Sequence, residues 1–328
     1  MISYRRFLNT DPPALVDVWN ETAAGRGSYP LKSSSLLDKW ILSKPYFDPE
    51  GLIVAEEEFT DGTKKIHGFA LAGFGPNEEL TGLSKDLGVV CTIQVRPSSR
   101  KLGIGKQLLK RAEQYLLSCG AKRLRVGAMN PVNPFMFGLY GGANSPGLLK
   151  SDVDTEPFLK RMGYEVGETI AVFQRKLDTP LTVADSRFNF LRKRYDVQMI
   201  PVASVGSWWS ECVWGILEPV EFRAYDKLTG MPCARAVVWE LEGFNWRWNY
   251  PAAGILDVQV RPDLRKQGLA KMVLFQILRF LQDQFFGIAE LQVRATDPAA
   301  VGLCKSLGYE QVDEGAVYEK PPPASGAA

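Results

Sequence analysis

Two segments of this chain place arginine, proline and glycine at the same spacing. Residues 94–106 read QVRPSSRKLGIGK and residues 259–271 read QVRPDLRKQGLAK, so each matched position lies 165 residues further along. Both follow an apolar, β-branched run and precede apolar residues at helical spacing, which predicts a strand-to-helix turn. Glycine there tolerates positive φ, and amide N–H groups converge beside the positive end of the helix dipole. We therefore expect each turn to hold a phosphate or pyrophosphate group.

The repeat predicts two copies of one domain. Around each turn the predicted elements follow one order: a hairpin, a strand, the turn, a helix, another strand and a closing helix before Gly-Tyr. This order indicates an α/β fold with a mixed sheet and a largely antiparallel start. We expect domains at residues 1–177 and 187–320, with a linker at 178–186 and a disordered tail at 321–328.

Other glycine-rich phosphate sites fit these turns less well. A dinucleotide site has Gly-x-Gly-x-x-Gly near the start of an alternating βαβ run, and a nucleotidase loop ends in Gly-Lys-Ser/Thr. Neither turn has these features.

Both turns resemble the acyl-CoA-binding motif of the GNAT superfamily of N-acyltransferases. A later family element, a polar residue after the fifth strand and a helix ending in Leu-Gly-Phe/Tyr, is similar to Asp297 with residues 307–309. In the first copy it is similar to Asn130 with residues 162–164. The resemblance implies two tandem GNAT folds, an arrangement similar to that of mycothiol-synthase-type enzymes.

The resemblance also implies the cofactor site. The amides of each turn would bind the CoA pyrophosphate, and the strand before it would pair with the pantetheine arm. The implied CoA-binding residues are Ile93, Val95, Arg100, Lys101, Leu102, Gly103, Ile104, Gly105, Lys106 and Asn130 in the first copy. In the second copy they are Val258, Val260, Arg265, Lys266, Gln267, Gly268, Leu269, Ala270 and Lys271. The co-substrate is acetyl-CoA or another short acyl-CoA, with no metal.

The catalytic groups follow the family pattern less closely. The tyrosine that protonates the departing thiolate in many relatives is replaced by Leu159 and Cys304, and we expect Cys304 to be a packing residue. Asp257, on the strand before the second turn, is a candidate base, whereas the first copy has Thr92 there. A solvent-facing strand carboxylate is an equal alternative for Asp257.

An insertion at residues 131–152 distinguishes the first copy. Its aromatic and glycine content favours a lid or binding loop over a solvated insertion. Tyr140 within it is a candidate acid or acceptor contact. The first turn has both glycines, Gly103 and Gly105, whereas the second turn has Ala270 at the second position. The glycine pair and the loop together favour the first copy as the one that binds CoA and carries out catalysis.

The second copy is rich in aromatic residues. Trp246, Trp248 and Tyr250 alternate, which predicts that one face of a strand carries all three. Packing between the copies is the favoured interpretation, and an aromatic groove for an amine is the alternative.

Composition gives no support to several classes of function. The net charge of +2 gives no support to nucleic-acid binding. His67 is the single histidine, which argues against a histidine-based triad or a multi-histidine metal site. Five cysteines without Cys-x-x-Cys spacing predict free thiols in a reducing compartment. No signal peptide or membrane span is predicted, so we expect a cytoplasmic protein. Its oligomeric state is open, although the two copies predict a pseudo-dimer within one chain.

The sequence therefore predicts an N-acetyltransferase (EC 2.3.1.-) that transfers an acetyl or short acyl group from acyl-CoA to an amine. The acceptor is a small-molecule amine or a peptide N-terminus, and one copy is catalytic while the other is degenerate. Two alternatives stay open: an acyl-CoA-binding sensor without turnover, and a protein N-terminal acetyltransferase.

Overall fold

A computed structural model describes residues 1–181, 185–202, 206–215 and 217–321. The tail at 322–328 and the middle of the linker, 182–184, lie outside the described residues. The helices are α1 (Pro12–Thr22), α2 (Ser34–Leu37), α3 (Ile104–Ser118), α4 (Thr155–Arg161), α5 (Arg187–Arg194), α6 (Trp208–Trp214), α7 (Glu242–Trp248), α8 (Leu269–Asp283) and α9 (Pro298–Ser306). A π-helical turn, Asp38–Leu42, continues α2, and 3-10 turns lie at Pro49–Gly51, Pro97–Ser99 and Pro262–Leu264.

The strands of the described residues form one mixed sheet. They are β1 (Ile2–Arg6), β2 (Leu52–Glu58), β3 (Lys64–Pro76), β4 (Leu83–Val95), β5 (Arg123–Val126), β6 (Leu148–Leu149), β7 (Glu165–Lys176), β8 (Tyr195–Pro201), β9 (Val220–Asp226), β10 (Pro232–Glu240), β11 (Ala252–Val260), β12 (Ile288–Arg294) and β13 (Glu310–Glu319). Their order is β1-β2-β3-β4-β5-β13-β7-β12-β11-β10-β9-β8, and β6 pairs with β13. This is the mixed α/β fold that the sequence predicts.

The first half (residues 1–177) and the second half (residues 187–320) exchange their last strands. β13 pairs antiparallel with β5, where Tyr318 lies opposite Val126. β7 pairs antiparallel with β12, where Phe173 lies opposite Leu291. The two exchanged strands also pair with each other at the centre of the sheet. Each half therefore supplies the strand that lies next to the fifth strand of the other half.

The core has three parts, which follow from the alternation of side chains along the strands. Val90 of β4 packs under α3, and Ile255 of β11 packs under α8. The neighbours Val89 and Leu256 point to the opposite face, into a core that contains residues of both halves. We call this third part the shared core. It includes Trp239, so both halves depend on it for their packing.

The aromatic residues near position 246 do not form a strand, and that prediction is wrong. Trp246 and Trp248 lie on α7, in which residues four apart share a face, and Tyr250 follows the end of this helix. The rings of Phe244 and Trp248 stack at a centroid distance of 5.1 Å, whereas Trp246 is 66% exposed. Trp248 also donates from Nε1 to the carbonyl of Arg26, at 2.9 Å, so it packs between the halves.

Candidate functional site

The second glycine turn joins β11 to α8 in a left-handed conformation. Lys266 has φ 62° and Gly268 has φ 91°. The amide of Met272 donates to the Gly268 carbonyl at 3.0 Å. The amides of residues 269–271 therefore have no acceptor within the helix, as expected for its first turn. They lie at the positive end of the dipole of α8, so the turn is built to bind an anion.

A cavity of about 1370 Å³ lies beside this turn. It occupies the gap where β11 and β12 separate after their last paired residues, Ile255 and Leu291. Most of the predicted CoA-binding residues of the second half line it: Val258, Val260, Arg265, Lys266, Gly268, Leu269, Ala270 and Lys271. The structure thus brings the turn, the strand edge and the strand gap together around one space.

The walls of the cavity carry more cationic than anionic side chains. Seven cationic side chains line it: Arg187, Arg223, Arg235, Arg261, Arg265, Lys266 and Lys271. The lining carboxylates are Asp257 and Asp297, and Asp297 accepts two N–H groups at the start of α9, each at 3.0 Å. Five of the seven cations form ion pairs, whereas Arg265 and Lys266 have no carboxylate partner among the described residues. The remaining excess of positive charge favours an anionic ligand.

Helix α5 contributes a charged pair to the mouth of the cavity. The guanidinium carbon of Arg187 would lie 3.3 Å from a Cβ placed on Gly268. Asp185 pairs with Arg187 at 2.8 Å and with Lys271 at 3.5 Å. Hydrogen bonds from Arg187 hold the pKa of the Asp185 carboxyl well below its usual range. This carboxylate is therefore ionised at neutral pH, beside the cations that face the turn.

Asp257 occupies a β-bulge at the strand gap. The register between β10 and β11 shifts at this point, and Asp257 has φ 52° although it is not a glycine. Its side chain is 25% exposed and forms an ion pair with Arg235 and a hydrogen bond with Gln259. Bulges beside active sites re-aim side chains, and strained backbone is concentrated at such sites. Asp257 therefore lines the cavity as a paired carboxylate.

The first glycine turn repeats the backbone geometry of the second. Lys101 and Gly103 have φ values of 65° and 80°, and the amide of Gln107 donates to the Gly103 carbonyl at 3.1 Å. The Nε atom of Arg100 donates to the Val95 carbonyl at 3.3 Å, as Nε of Arg265 does to Val260 at 3.2 Å. Both halves therefore carry the anion-binding turn.

The strand gap differs between the halves. In the first half Phe135 of the insertion packs over β3, where a Cβ on Gly73 would lie 2.8 Å from its ring. Thr92, at the position of Asp257, is 5% exposed. Ile93 pairs with β3 and packs against the α3 core. The insertion thus packs over β3 beside the first gap, whereas the second gap opens into the cavity.

The insertion is part of the shared core, and Tyr140 lies inside it. The Tyr140 hydroxyl donates to Asp152 and accepts the amide N–H of Leu149 at 2.7 Å. Burial raises the pKa of Tyr140 well above its usual value. Tyr140 is not among the residues that line the cavity, and Asn130 is exposed before the cis peptide bond to Pro131.

Cys304 packs at the back of the cavity. It is fully buried, and burial raises the pKa of its thiol to about 12. A thiol in this state is neutral and enclosed at neutral pH.

Sequence reasoning missed many of the lining residues, among them Asn144 of the insertion, Arg187 of α5 and Gln292 of β12. Asn144 and Arg187 lie outside the repeated segment at residues 259–271, and the spacing of the turns carries no information about them. Gln292 lies on the strand after α8. Its polar side chain near the end of a predicted strand is the feature of the sequence that could have indicated a site residue.

Comparison with a sequence model of the Acetyltransferase (GNAT) family shows matches at residues 14–141 and 207–309. These matches cover most of the chain, and the chain belongs to the Acetyltransferase (GNAT) family. Acyl transfer is therefore the general class of its reaction. No curated protein sequence matches the chain.

Solved structures support the tandem arrangement. The chain is similar to a GCN5-related glucosamine N-acetyltransferase region of a fungal multi-domain GH3 β-N-acetylglucosaminidase, with TM-score 0.69 and 12% identity, covering 97% of this chain and 38% of that one. It is also similar to a tandem GNAT protein from the clavulanic acid biosynthesis pathway, with TM-score 0.66, 14% identity and coverage of 98% and 100%. A GCN5-related N-acetyltransferase from Sphaerobacter thermophilus gives TM-score 0.61, 15% identity and coverage of 98% and 97%. At these identities the likeness establishes the fold, two tandem GNAT units.

Among the described helices, none has the length and apolar character required to cross a membrane.

Proposed function

We propose that this protein transfers an acetyl or other short acyl group from acyl-CoA to an amine, and that its second half holds the acyl-CoA. The observation that carries the proposal is the cavity of about 1370 Å³ beside the second turn, with its seven cationic side chains. A CoA molecule carries three phosphate groups and an extended arm, and this site offers cations, free amides and an open strand edge. The packing of Phe135 over β3 beside the first gap supports the first half as the degenerate copy.

In the second half, different parts of the site would bind different parts of acyl-CoA. The amides of residues 269–271 would bind the pyrophosphate, and the edge of β11 at Val258 and Val260 would pair with the arm. The thioester would then reach the gap at Ile255 and Leu291. Such placement of the two reactants supplies much of the rate in a direct displacement.

The chemical step joins the acceptor nitrogen to the acyl carbon and breaks the bond from that carbon to sulfur. The amine must lose a proton, and Asp257 would accept it through water. The departing CoA thiolate would take a proton from solvent. Burial of the Cys304 thiol, with its raised pKa of about 12, does not favour it as the donor.

The acceptor is proposed as an amine of a small molecule or of a peptide N-terminus. Five free cysteines fit a reducing compartment, so we place the protein in the cytoplasm. An acyl-CoA sensor without turnover is the second candidate, because neither half has a tyrosine at the usual acid position. A thiol-release assay with panels of free amines and of peptides distinguishes these possibilities.

Substitution of the turn glycines tests which half binds CoA. Valine at position 268 cannot easily adopt φ 91° and would close the anion site, so Gly268→Val should abolish binding of acetyl-CoA. Gly103→Val should leave one binding site intact. Gly62→Val is the matched control, because Gly62 has φ 81° in an open hairpin turn away from the cavity. Isothermal calorimetry provides the measurement.

Two outcomes would contradict this proposal. If acetyl-CoA does not bind the wild-type protein, the CoA site is excluded. If Gly103→Val abolishes binding while Gly268→Val does not, the first half is the CoA site.

A further inference from the structure

The inner end of the second-half cavity is closed by a residue of the first half. Asn144 belongs to the insertion, yet it lines the cavity together with Leu256 and Gln292. Its neighbour Ala143 lies against β11, where a Cβ on Gly254 would be 2.9 Å from the Ala143 Cβ. Gly254 directly precedes the last paired residue of β11. Asn144 therefore lies where the two strands of the second half begin to separate.

The second half holds this segment of the insertion in place. The Ala143 amide donates to Oε1 of Glu290 at 2.8 Å, and Nε1 of Trp239 donates to the Ala143 carbonyl at 3.0 Å. Nε2 of Gln292 donates to the carbonyl of Gly141 at 2.6 Å. Glu290 is fully buried, so these bonds are shielded from water. The position of Asn144 is thus fixed by contacts between the halves.

The face on which Asn144 lies is the face that an acceptor would approach. Ile255 points toward α8, whereas Gly254 and Leu256 point to the opposite side, where Ala143 packs. A ligand that starts at the turn of α8 and passes through the strand gap emerges on this opposite side. Asn144 therefore faces the end of such a ligand rather than its phosphates.

The side chain of Asn144 supplies a hydrogen-bond donor at the inner end of the cavity. Its Oδ1 accepts the amide N–H of Ser145 at 2.8 Å. Its Nδ2 group has no acceptor among the described residues. Nδ2 is a donor with two hydrogens, and it suits a carbonyl oxygen.

We propose that Asn144 is a specificity-determining residue of the second-half site, which contacts the acyl group and limits its length. This inference rests on the proposed function, since it needs acyl-CoA in the second half. It assigns the insertion of the first half to the substrate site of the second half. One methylene group in such a pocket changes discrimination by about tenfold or more.

Binding of an acyl-CoA series tests the inference without knowledge of the acceptor. The probes are free CoA, acetyl-CoA, propionyl-CoA and butyryl-CoA, with Kd measured by calorimetry on the full chain. Asn144→Ala should lower the ratio of the butyryl-CoA Kd to the acetyl-CoA Kd by about tenfold. Asn144→Phe should weaken acetyl-CoA binding by about tenfold or more. Neither variant should change the Kd of free CoA. Asn189→Ala, at an exposed position of α5, is the matched control.

The outcomes separate the inference from the proposed function. If wild-type protein binds CoA and both Asn144 variants keep the wild-type chain-length profile, Asn144 has no role in specificity. If free CoA fails to bind the wild-type protein, the proposed function is at fault. If Asn144→Ala loses its cooperative thermal unfolding, Asn144→Ser replaces it, because its hydroxyl can still accept the Ser145 amide.

Discussion

Asp257 combines three features at a single residue: a β-bulge, a left-handed backbone and a lining position in the cavity. Its pairing with Arg235 compensates its charge, and its partly exposed side chain keeps contact with water. A carboxylate in this setting suits the transfer of a proton through water rather than direct contact with a buried amine. This makes the residue the strongest candidate for acid–base work in the described site.

Asp257→Asn should reduce turnover by about a hundredfold, the scale of a lost general base, while CoA binding stays intact. Asparagine keeps the size of the side chain and its hydrogen bond from Arg235 but cannot accept the proton. Steady-state kinetics by thiol release measure the effect. Asp283→Asn is the control, since Asp283 is exposed at the end of α8 and is not among the residues that line the cavity.

Tyr140→Phe tests the alternative that catalysis takes place in the first half. We expect it to retain turnover, because the hydroxyl is buried against Asp152 and Leu149. A loss of turnover in Tyr140→Phe with full activity in Asp257→Asn would assign catalysis to the first half.

At the residue scale, the sequence predicted the residues of the turn but not Asn144, which closes the inner end of the cavity. The glycine and arginine pattern depends on local backbone geometry, so Gly268 and Arg265 could be found from spacing alone. Asn144 is held at the site because its neighbour Ala143 forms hydrogen bonds with Trp239 and Glu290, which are far away in sequence. No local pattern encodes such a contact.

At the scale of elements, the insertion is a core segment. Phe137 is 3% exposed and stacks on Trp239 of the second half at a centroid distance of 5.0 Å. Phe135 and Leu139 are also buried in the shared core. The sequence indicated a structured loop from its aromatic and glycine content, but not which half it serves.

Phe137→Ala should lower the free energy of unfolding by about 3–5 kcal/mol, because it removes a buried ring and leaves a cavity between the halves. Urea unfolding followed by circular dichroism measures this change. Leu228→Ala, at a side chain that is 90% exposed, should change the stability by less than about 0.5 kcal/mol. An equally small effect at Phe137 would show that the insertion contributes little to the shared core.

Most elements near the two turns could be predicted, whereas α7 could not. Alternation of Trp246 and Trp248 is compatible with a strand over a short window, and only the packing of Phe244 against Trp248 selects the helix. β1 was missed because Ile2–Arg6 is short and half polar. It gains its stability from pairing with β2, far along the chain.

At the scale of the whole molecule, the exchange of β7 and β13 joins the two halves into one sheet. Tyr318 is buried in the core of the first half, and Phe173 is buried in the core of the second. Composition and repeats predicted two copies but not this exchange, since a strand has the same sequence pattern wherever it pairs.

Fragments 1–183 and 184–328 should each fail to fold cooperatively when they are expressed alone. Each would expose an unpaired strand edge and half of the shared core. When they are co-expressed, the two fragments should form a one-to-one complex with the circular dichroism spectrum of the intact chain. Size-exclusion chromatography and thermal unfolding provide the measurements. Two stable monomeric fragments would contradict the exchange.

The exchange also makes each half structurally dependent on the other. A single copy cut from this chain would lose the neighbour that its last strand has in the intact protein, and its unpaired edge would favour association with other chains over independent folding. The first half can lose its own chemistry, but it cannot be deleted, because β12 would lose its partner β7. Mutations that disrupt β5 or β7 should therefore inactivate the protein as surely as mutations of the residues that line the cavity.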